Sequence, residues 1–238
     1  MVSTGNMILG KKISLILPTI NEAEGLGYLK EKIPSSIDEV LIIDGDSRDK
    51  TREIAESFGW KVVVEKRRGY GRAYKTGFEE SQGEIIATAD ADGTYPVENI
   101  EAFVKELLSN NLSFISCSRF PLTDSQSMNR LNQIGNSTIT LVASILWLHP
   151  FLDILSGMWI FKKSVLEQFV LESDNWNFSE EIKLRSFKAL GDKFKEVQIP
   201  YRNRLGETKL MPWKVGFENI LYMLKMRLEP LGDKRTKA

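Results

Sequence analysis

Asp90-Ala91-Asp92 is the stretch of this chain best placed to do chemistry. Before it runs Glu84-Ile85-Ile86-Ala87-Thr88, which reads as a buried strand. After it comes Pro96, which reads as the first residue of a helix. Two carboxylates on the loop leaving a strand point the same way, because strand side chains alternate. Carboxylates that converge require a cation, or one of them takes up a proton. Hard oxygen ligands suit Mg²⁺ or Mn²⁺, and such ions are commonly shared with substrate phosphates. Asp90 and Asp92 are therefore candidate metal ligands at a strand's carboxyl end. A lone Asp-x-Asp in a chain with 27% charged residues is more often a solvated acidic turn. The segments on both sides reverse that reading.

Those segments alternate between short apolar runs and helical patterns. Ile13–Leu17 reads as a first strand, stopped by Pro18, with a polar turn and a helix from Ala23 to Lys32. Val40–Ile43 is a second strand ending at Asp44, and Asp44 to Asp49 is loop and helix-cap chemistry. Thr51–Phe58 reads as a helix, Val62–Val64 as a third strand, and Arg67 to Arg72 as a basic, glycine-rich turn opening a helix to about Ser81. Ile85-Ile86 is the fourth strand and Phe114–Ser116 the fifth. Between them Val97, Ile100, Phe103, Val104, Leu107 and Leu108 recur at the helical period. Such alternation predicts an α/β fold, a mostly parallel sheet with helices on both faces. Ligands bind outside the carboxyl ends of such strands, and the residues there are Pro18, Asn21, Glu22, Asp44, Asp90 and Asp92. The turn Pro18–Glu22 has no glycine, so the dinucleotide fingerprint is absent. Gly69-Tyr70-Gly71 lacks the Lys-Ser/Thr pair of a P-loop.

Beyond Arg119 the alternation stops. Asn132–Leu155 reads as partly helical, Trp159–Phe161 as a strand, Ser164–Leu171 and Ser179–Leu190 as helices, and Phe194–Ile199 as a last strand. A basic loop, Pro200–Lys209, leads to an amphipathic helix, Pro212–Leu228. No linker or repeat divides the chain, so residues 1–238 read as one domain with its core about 12–228.

Bulk composition narrows the function classes. The 238 residues carry 32 Lys plus Arg against 32 Asp plus Glu, and 42% are hydrophobic. A balanced charge argues against a general nucleic-acid binder. Cys117 is the single cysteine, which excludes an intrachain disulfide and fits a reducing, cytoplasmic setting. Met1–Lys12 lacks the apolar core of a signal peptide. No charge-free run is long enough for a spanning helix; Ile139–Leu155 comes nearest, interrupted by His149, Pro150 and Asp153.

The motifs in order, Pro18-Thr19-Ile20-Asn21-Glu22, Asp44…Ser47-x-Asp49-x-Thr51 and Asp90-Ala91-Asp92, resemble the inverting family 2 glycosyltransferases of GT-A (Rossmann-like) fold. Ser118-Arg119-Phe120, Asp153-x-x-Ser156-Gly157 and Arg204-x-Gly206-x-Thr208-Lys209-Leu210 resemble the dolichol-phosphate mannose synthase branch and its polyprenyl-phosphate glucosyltransferase relatives. The resemblance spans roughly Lys12 to Leu228. It implies that Pro18, Ile20, Glu22 and Asp44 hold the nucleoside of a nucleotide sugar. It implies that Asp90-Ala91-Asp92 serves the diphosphate and a Mg²⁺ or Mn²⁺ ion, with Asp92 the more direct ligand. Arg119 is implied as a phosphate-binding arginine, and Arg204 and Lys209 as the late basic loop that closes over donor and lipid phosphates. Three positions depart from the pattern: Gly45 where a second acid is common, Thr94 where the mannose synthases usually carry Gln, and Thr208 where Ser is common. The first two bear on the donor base and sugar.

The implied reaction is attack by a dolichyl or polyprenyl phosphate on the anomeric carbon of a nucleotide-activated hexose, with mannose from GDP-mannose as the first donor expected. A phosphate monoester is anionic at pH 7 and needs no general base. The alternatives are a UDP-glucose-dependent polyprenyl-phosphate glucosyltransferase, a family 2 enzyme with a hydroxyl acceptor using Glu180 or Glu181 as base, and a nucleotide-sugar-binding subunit without turnover. Glu180 and Glu181 read more simply as a solvated helix face, Asn132 and Asn136 as packing or capping residues, and His149 as structural. Arg67, Arg68 and Arg72 read equally as phosphate contacts or a solvated basic turn. Ile139–Leu155 and Pro212–Leu228, the latter with Trp213, Lys214 and Phe217, are the candidate membrane-contacting stretches. The expected protein is peripheral on the cytoplasmic face of a membrane, with or without an anchoring subunit.

Overall fold

The computed structural model of the chain describes residues 8–205 and 212–228. Seven strands form one sheet: β1 (Ile13–Thr19), β2 (Glu39–Asp44), β3 (Lys61–Val64), β4 (Ile85–Thr88), β5 (Phe114–Ser118), β6 (Trp159–Lys162) and β7 (Phe194–Gln198). Their order is β3-β2-β1-β4-β6-β5-β7. All neighbours are parallel except β6, which runs antiparallel between β4 and β5. Strands β1 to β5 and β7 consequently end at one edge of the sheet, and β6 begins there. Sequence periodicity has no strand direction in it, so the reversal of β6 was not to be read from Trp159–Phe161 alone.

The strands are apolar on both faces, as a covered sheet demands. Leu15, Leu17, Ile42, Ile115 and Ile160 pack on one side with α1 (Ala23–Lys32), α2 (Thr51–Ser57) and α4 (Ile100–Ser109). Their alternates Ile16, Leu41, Ile43, Phe114 and Phe161 pack on the other with α3 (Tyr70–Glu80), α5 (Arg130–Trp147), α6 (Phe178–Leu190) and α7 (Pro212–Leu228). The buried face of α4 is Ile100, Phe103, Val104 and Leu107, the 3.6-residue stripe seen in the sequence. Helix α5 starts where the Asn129 side chain accepts a hydrogen bond from Asn132 N at 2.8 Å. It ends at Leu148, whose φ of 54° turns the chain, two residues before Pro150.

Two local expectations change. Pro18 does not stop β1, which runs on to Thr19 with Pro18 opposite Ile43. Strand β4 pairs with β1 only as far as Ile16, so beyond that point a residue without an N–H is tolerated near the ladder's end. Ser164–Leu171 is not a helix; only a short 3₁₀ segment, Lys163–Glu167, forms. Its apolar residues Val165, Leu166, Phe169 and Leu171 seat against the core at irregular spacing instead.

Candidate active site

The carboxyl edge of the sheet opens into a cleft of about 1280 Å³. Pro18, Ile20, Glu22, Asp90, Ala91, Asp92, Arg119 and Arg204 all line it. Lys209, with Gly206, Thr208 and Leu210, lies outside the described residues, as do the side chains of Trp213 and Lys214.

The acidic turn is held by its neighbours. Asp92 is 3% exposed, and its Oδ1 accepts hydrogen bonds from Thr94 N (3.1 Å) and Thr94 Oγ1 (2.7 Å). Asp92 Oδ2 lies 3.0 Å from Arg204 Nη1. Arg204 Nη2 reaches Glu22 Oε1 at 2.8 Å, so one guanidinium spans the nucleoside-side turn and the acidic turn. Arg204 is aimed there by the backbone, because Arg202 N donates to Thr94 O and Leu205 N to Asp92 O. Asp90 accepts from Tyr70 Oη at 3.3 Å. Burial, then the adjoining Asp92 carboxylate, push the Asp90 carboxyl up to about 7, with Arg204 opposing.

Helix α1 approaches the turn closely at Gly25, where a Cβ would fall inside van der Waals contact of the Ala91 carbonyl oxygen. Two residues on, Gly27 faces open space. Gly25→Ala is expected to cut turnover at least roughly tenfold and lower the melting temperature, because a backbone carbonyl cannot swing aside as a side chain can. Gly27→Ala is expected to leave activity unchanged and stability equal or slightly higher. Steady-state rates and thermal melts of the two variants check this contrast; equal behaviour would contradict the packing.

The polar string after β2 does the loop and helix-cap work its sequence suggests, and Asp44, which the resemblance placed at the nucleoside, is tied into it. Asp44 is fully buried and accepts from Thr19 Oγ1, Ser47 N and Ser47 Oγ; it does not line the cleft. Ser47 Oγ accepts from Asn21 N, Thr51 Oγ1 from Glu22 N, and Asp49 Oδ2 from Ala23 N. These polar residues fasten the β1–α1 turn to the β2–α2 loop. The cleft lining from that loop is Gly45, Asp46 and Arg48. Gly45 lies under the exposed Ile20, whose Cγ1 would be 2.7 Å from a Cβ there.

Arg119 leaves β5 into a buried ion pair. Its Nε and Nη2 meet Asp153 Oδ2 and Oδ1 at 2.7 and 2.9 Å, and its ring neighbours are Phe120 and Tyr201. Burial opposes the charge on Asp153, but the hydrogen bonds and charge of Arg119, joined by the Lys183 charge, together hold the carboxyl below the usual range. Lys183, fully buried in α6, donates to Asp153 O at 2.8 Å from beneath.

Several expectations about the rim are corrected or resolved. Glu180 and Glu181 are not on a solvated face: both are fully buried, and neither lines the cleft. Glu181 accepts from Glu172 N and Ser173 N and pairs with Arg185, so a loop folds over it. Asn132 and Asn136 do line the cleft. Arg67 and Arg68 line it too, Arg67 paired with Glu65, whereas Arg72 is held by Asp174. His149 packs on Phe151 and Phe187. Tyr95 and Trp176, which sequence reasoning gave no role, also line the cleft, as do Tyr70 and Gly157, which stood inside quoted motifs without a role of their own. A Cβ at Gly157 would collide with Tyr70 Oη, so this glycine makes room for the tyrosine beside Asp90.

Among the described residues no group of three or more His, Cys, Asp or Glu side chains is placed to hold a metal ion. Two carboxylates fit an ion that takes its remaining oxygens from phosphates and water. The guanidinium already seated between Asp92 and Glu22 marks the spot as one that draws a cation.

The model for glycosyl transferase family 2 matches residues 14–170, from β1 through β6. The chain belongs to glycosyl transferase family 2. Among its relatives is a dolichyl-phosphate hexose transferase of Haloferax volcanii, 31% identical over 207 residues that make up 86% of this chain and 89% of the relative. A dolichol-phosphate mannosyltransferase of Pyrococcus furiosus is 26% identical over 90% of this chain and 63% of its own length. In three dimensions this family 2 enzyme is similar to the glucosyl-3-phosphoglycerate synthase of Mycobacterium tuberculosis, solved with Mn²⁺, UDP-glucose and phosphoglyceric acid. The TM-score is 0.75 at 19% identity, over 95% of this chain and 82% of that one. That likeness establishes the GT-A fold of the glycosyltransferase.

Proposed function

We propose that this glycosyltransferase moves a hexose, with inversion, from a nucleotide sugar to a dolichyl or polyprenyl phosphate. The observation that carries this reading is the apolar wall of the cleft that also holds the acidic turn. Leu131, Ile134 and Ile139 of α5 and Phe217 and Ile220 of α7 line the same cleft as Asp90 and Asp92. An apolar wall beside a phosphate site suits an acceptor that is both. The wall runs out into two exposed stripes at helical spacing, Ile134, Leu141 and Ile145 on α5 with Leu148 just past its end, and Phe217, Leu221, Leu224 and Leu228 on α7. These suit a membrane surface, with Lys225 and Arg227 at headgroup level. No helix among the described residues is long and apolar enough to cross a membrane. The Haloferax relative's acceptor supports the same reading.

In the reaction an acceptor phosphate oxygen attacks the anomeric carbon, the bond to the diphosphate breaks, and the nucleoside diphosphate leaves. Asp92 and Asp90 would hold a Mg²⁺ or Mn²⁺ ion, which when bound neutralises the leaving diphosphate. Arg119, kept charged and oriented by Asp153, offers its guanidinium to phosphate from the cleft floor. Arg204 carries a second cation on the segment tied to the acidic turn; Lys209, outside the described residues, is the cation that the sequence resemblance pairs with it. Ile20 and Pro18 offer an apolar surface to the nucleoside. GDP-mannose is the first donor to test and UDP-glucose the second.

A hydroxyl acceptor would need a carboxylate base, and the α6 carboxylates face the core. Glu180→Gln and Glu181→Gln are therefore expected to retain most activity per folded molecule, where loss of a general base costs on the order of 10²-fold or more. Their stabilities separate. Burial pushes the Glu180 carboxyl up to about 8 from 4.5, with the Lys183 charge opposing. Its unfolded form ionises above 4.5 while the folded form does not, so stability falls as pH rises from 4.5 to about 8. Glu180→Gln should raise the melting temperature at pH 8, with the gain vanishing near pH 4.5. Glu181→Gln should lower it at pH 7, since it weakens a buried ion pair and two backbone hydrogen bonds. The acceptor itself is tested with purified protein and labelled donor, offered polyprenyl phosphate or the free polyprenol. Label on the phosphate alone supports the proposal; label on the polyprenol alone overturns it.

A further inference from the structure

Trp176 is 40% exposed, yet it stands on a loop fastened at several points. Asp174 binds Arg72 Nε at 3.1 Å and Lys75 Nζ at 2.6 Å, and its carbonyl accepts from Arg72 N. Asn175 O accepts from Gly71 N, while the Glu181 carboxylate takes the N–H groups of Glu172 and Ser173. Two glycines make the approach possible. A Cβ at Gly69 would overlap the Asp174 carbonyl, and one at Gly71 would lie 2.6 Å from Ser173 O. The result of this fastening is an indole ring stacked on Tyr70, centroids 4.8 Å apart and planes within 21°, with the pair lining the cleft. Tyr70 in turn reaches Asp90 through its hydroxyl. An aromatic surface therefore begins at the acidic turn and extends to the cleft wall, where Trp176 keeps part of its surface in water.

We propose that the Tyr70–Trp176 stack is the platform on which the donor's hexose lies, with Trp176 contacting the sugar ring directly. The inference rests on the hexosyl-transfer reading above. In a nucleotide sugar the hexose hangs from the phosphate distal to the nucleoside. A diphosphate bound at Asp90 and Asp92 puts that hexose beside whatever surface adjoins Asp90, and Tyr70 is in contact with it. One face of a pyranose is a patch of C–H groups with partial positive charge, which suits the electron-rich face of an indole. The hydroxyls at the sugar's edge remain free for polar groups elsewhere in the cleft. Trp176 is then a specificity-determining residue for the sugar and is indifferent to the nucleotide.

The test is calorimetry with Mn²⁺ on the parent, Trp176→Ala and Trp176→Phe, each titrated with UDP, UDP-glucose, GDP and GDP-mannose. The expected result is that Trp176→Ala loses roughly 5- to 20-fold in affinity for the nucleotide sugar that the parent binds. Affinity for the matching nucleoside diphosphate should change less than twofold, and Trp176→Phe should keep most of the sugar affinity. In turnover assays the loss should appear mainly in the donor KM. Equal losses for sugar nucleotide and diphosphate would make Trp176 a loop-packing residue and overturn the inference, as would no loss in either. Both outcomes leave hexosyl transfer standing. A parent that binds none of the four ligands would overturn the functional reading and this inference together.

Discussion

Asp92→Asn is expected to abolish hexosyl transfer, by at least on the order of 10²- to 10³-fold, and to remove the metal dependence of donor binding. Asp92 is the carboxylate already engaged with a cation: its Oδ2 meets Arg204, and Thr94 fixes its other oxygen from two directions. An amide keeps the shape and loses the charge that a divalent ion requires. Asp90→Asn should cost less. Asp90 accepts a long hydrogen bond from Tyr70 at 3.3 Å and is less firmly aimed than Asp92, which Thr94 and Arg204 hold. The comparison is kcat for both variants beside donor affinity with Mn²⁺ and with chelator. A fully active Asp92→Asn enzyme would remove the metal from the mechanism.

Arg204→Ala is expected to lower kcat by about 10²-fold while changing the affinity for free nucleotide only a few-fold. The side chain spans Glu22 and Asp92, two acids that repel each other once it is gone, and the backbone of residues 202–205 is tied to the acidic turn. A donor diphosphate with its ion compensates those acids in its own right, so binding suffers less than the step in which acceptor charge must also be held. Arg204→Lys should recover only part of the rate, because an ammonium is a point charge and cannot span two partners as a planar fork does. Rates with a short-chain polyprenyl phosphate, beside calorimetry with nucleotide, measure both quantities. Unchanged kcat in Arg204→Ala would leave the segment a surface turn.

The strand-end residues were legible because they follow from two local signals, an apolar run and the polar residue that ends it. Pro18, Glu22, Asp90 and Asp92 met at one edge for that reason. Ser47 and Asp49 were legible as loop and helix-cap residues, but the role of Asp44 was not: a polar side chain at a strand end serves equally to bind a ligand or to tie two loops, and here it ties. Glu180, Glu181 and Lys183 look like the charged first turn of a surface helix. Their burial depends on residues 172–177 folding over α6 and on Asp153 arriving from another element, contacts that no helical period contains. Tyr70 and Trp176 lie far apart in the chain and meet only because Gly69 and Gly71 admit the later loop. Each glycine was visible as part of a turn, but what it makes room for belongs to the tertiary fold.

The most direct test of transfer to a lipid phosphate is partition. The protein is incubated with membranes containing polyprenyl phosphate, Mn²⁺ or Mg²⁺, and a panel of labelled UDP- and GDP-sugars, and the organic phase is counted. Label from one donor should enter the organic phase as a mild-acid-labile product, and chelation of the metal or Asp92→Asn should stop it. Label that stays in water with every donor, or that reaches lipid undiminished after chelation, would contradict it.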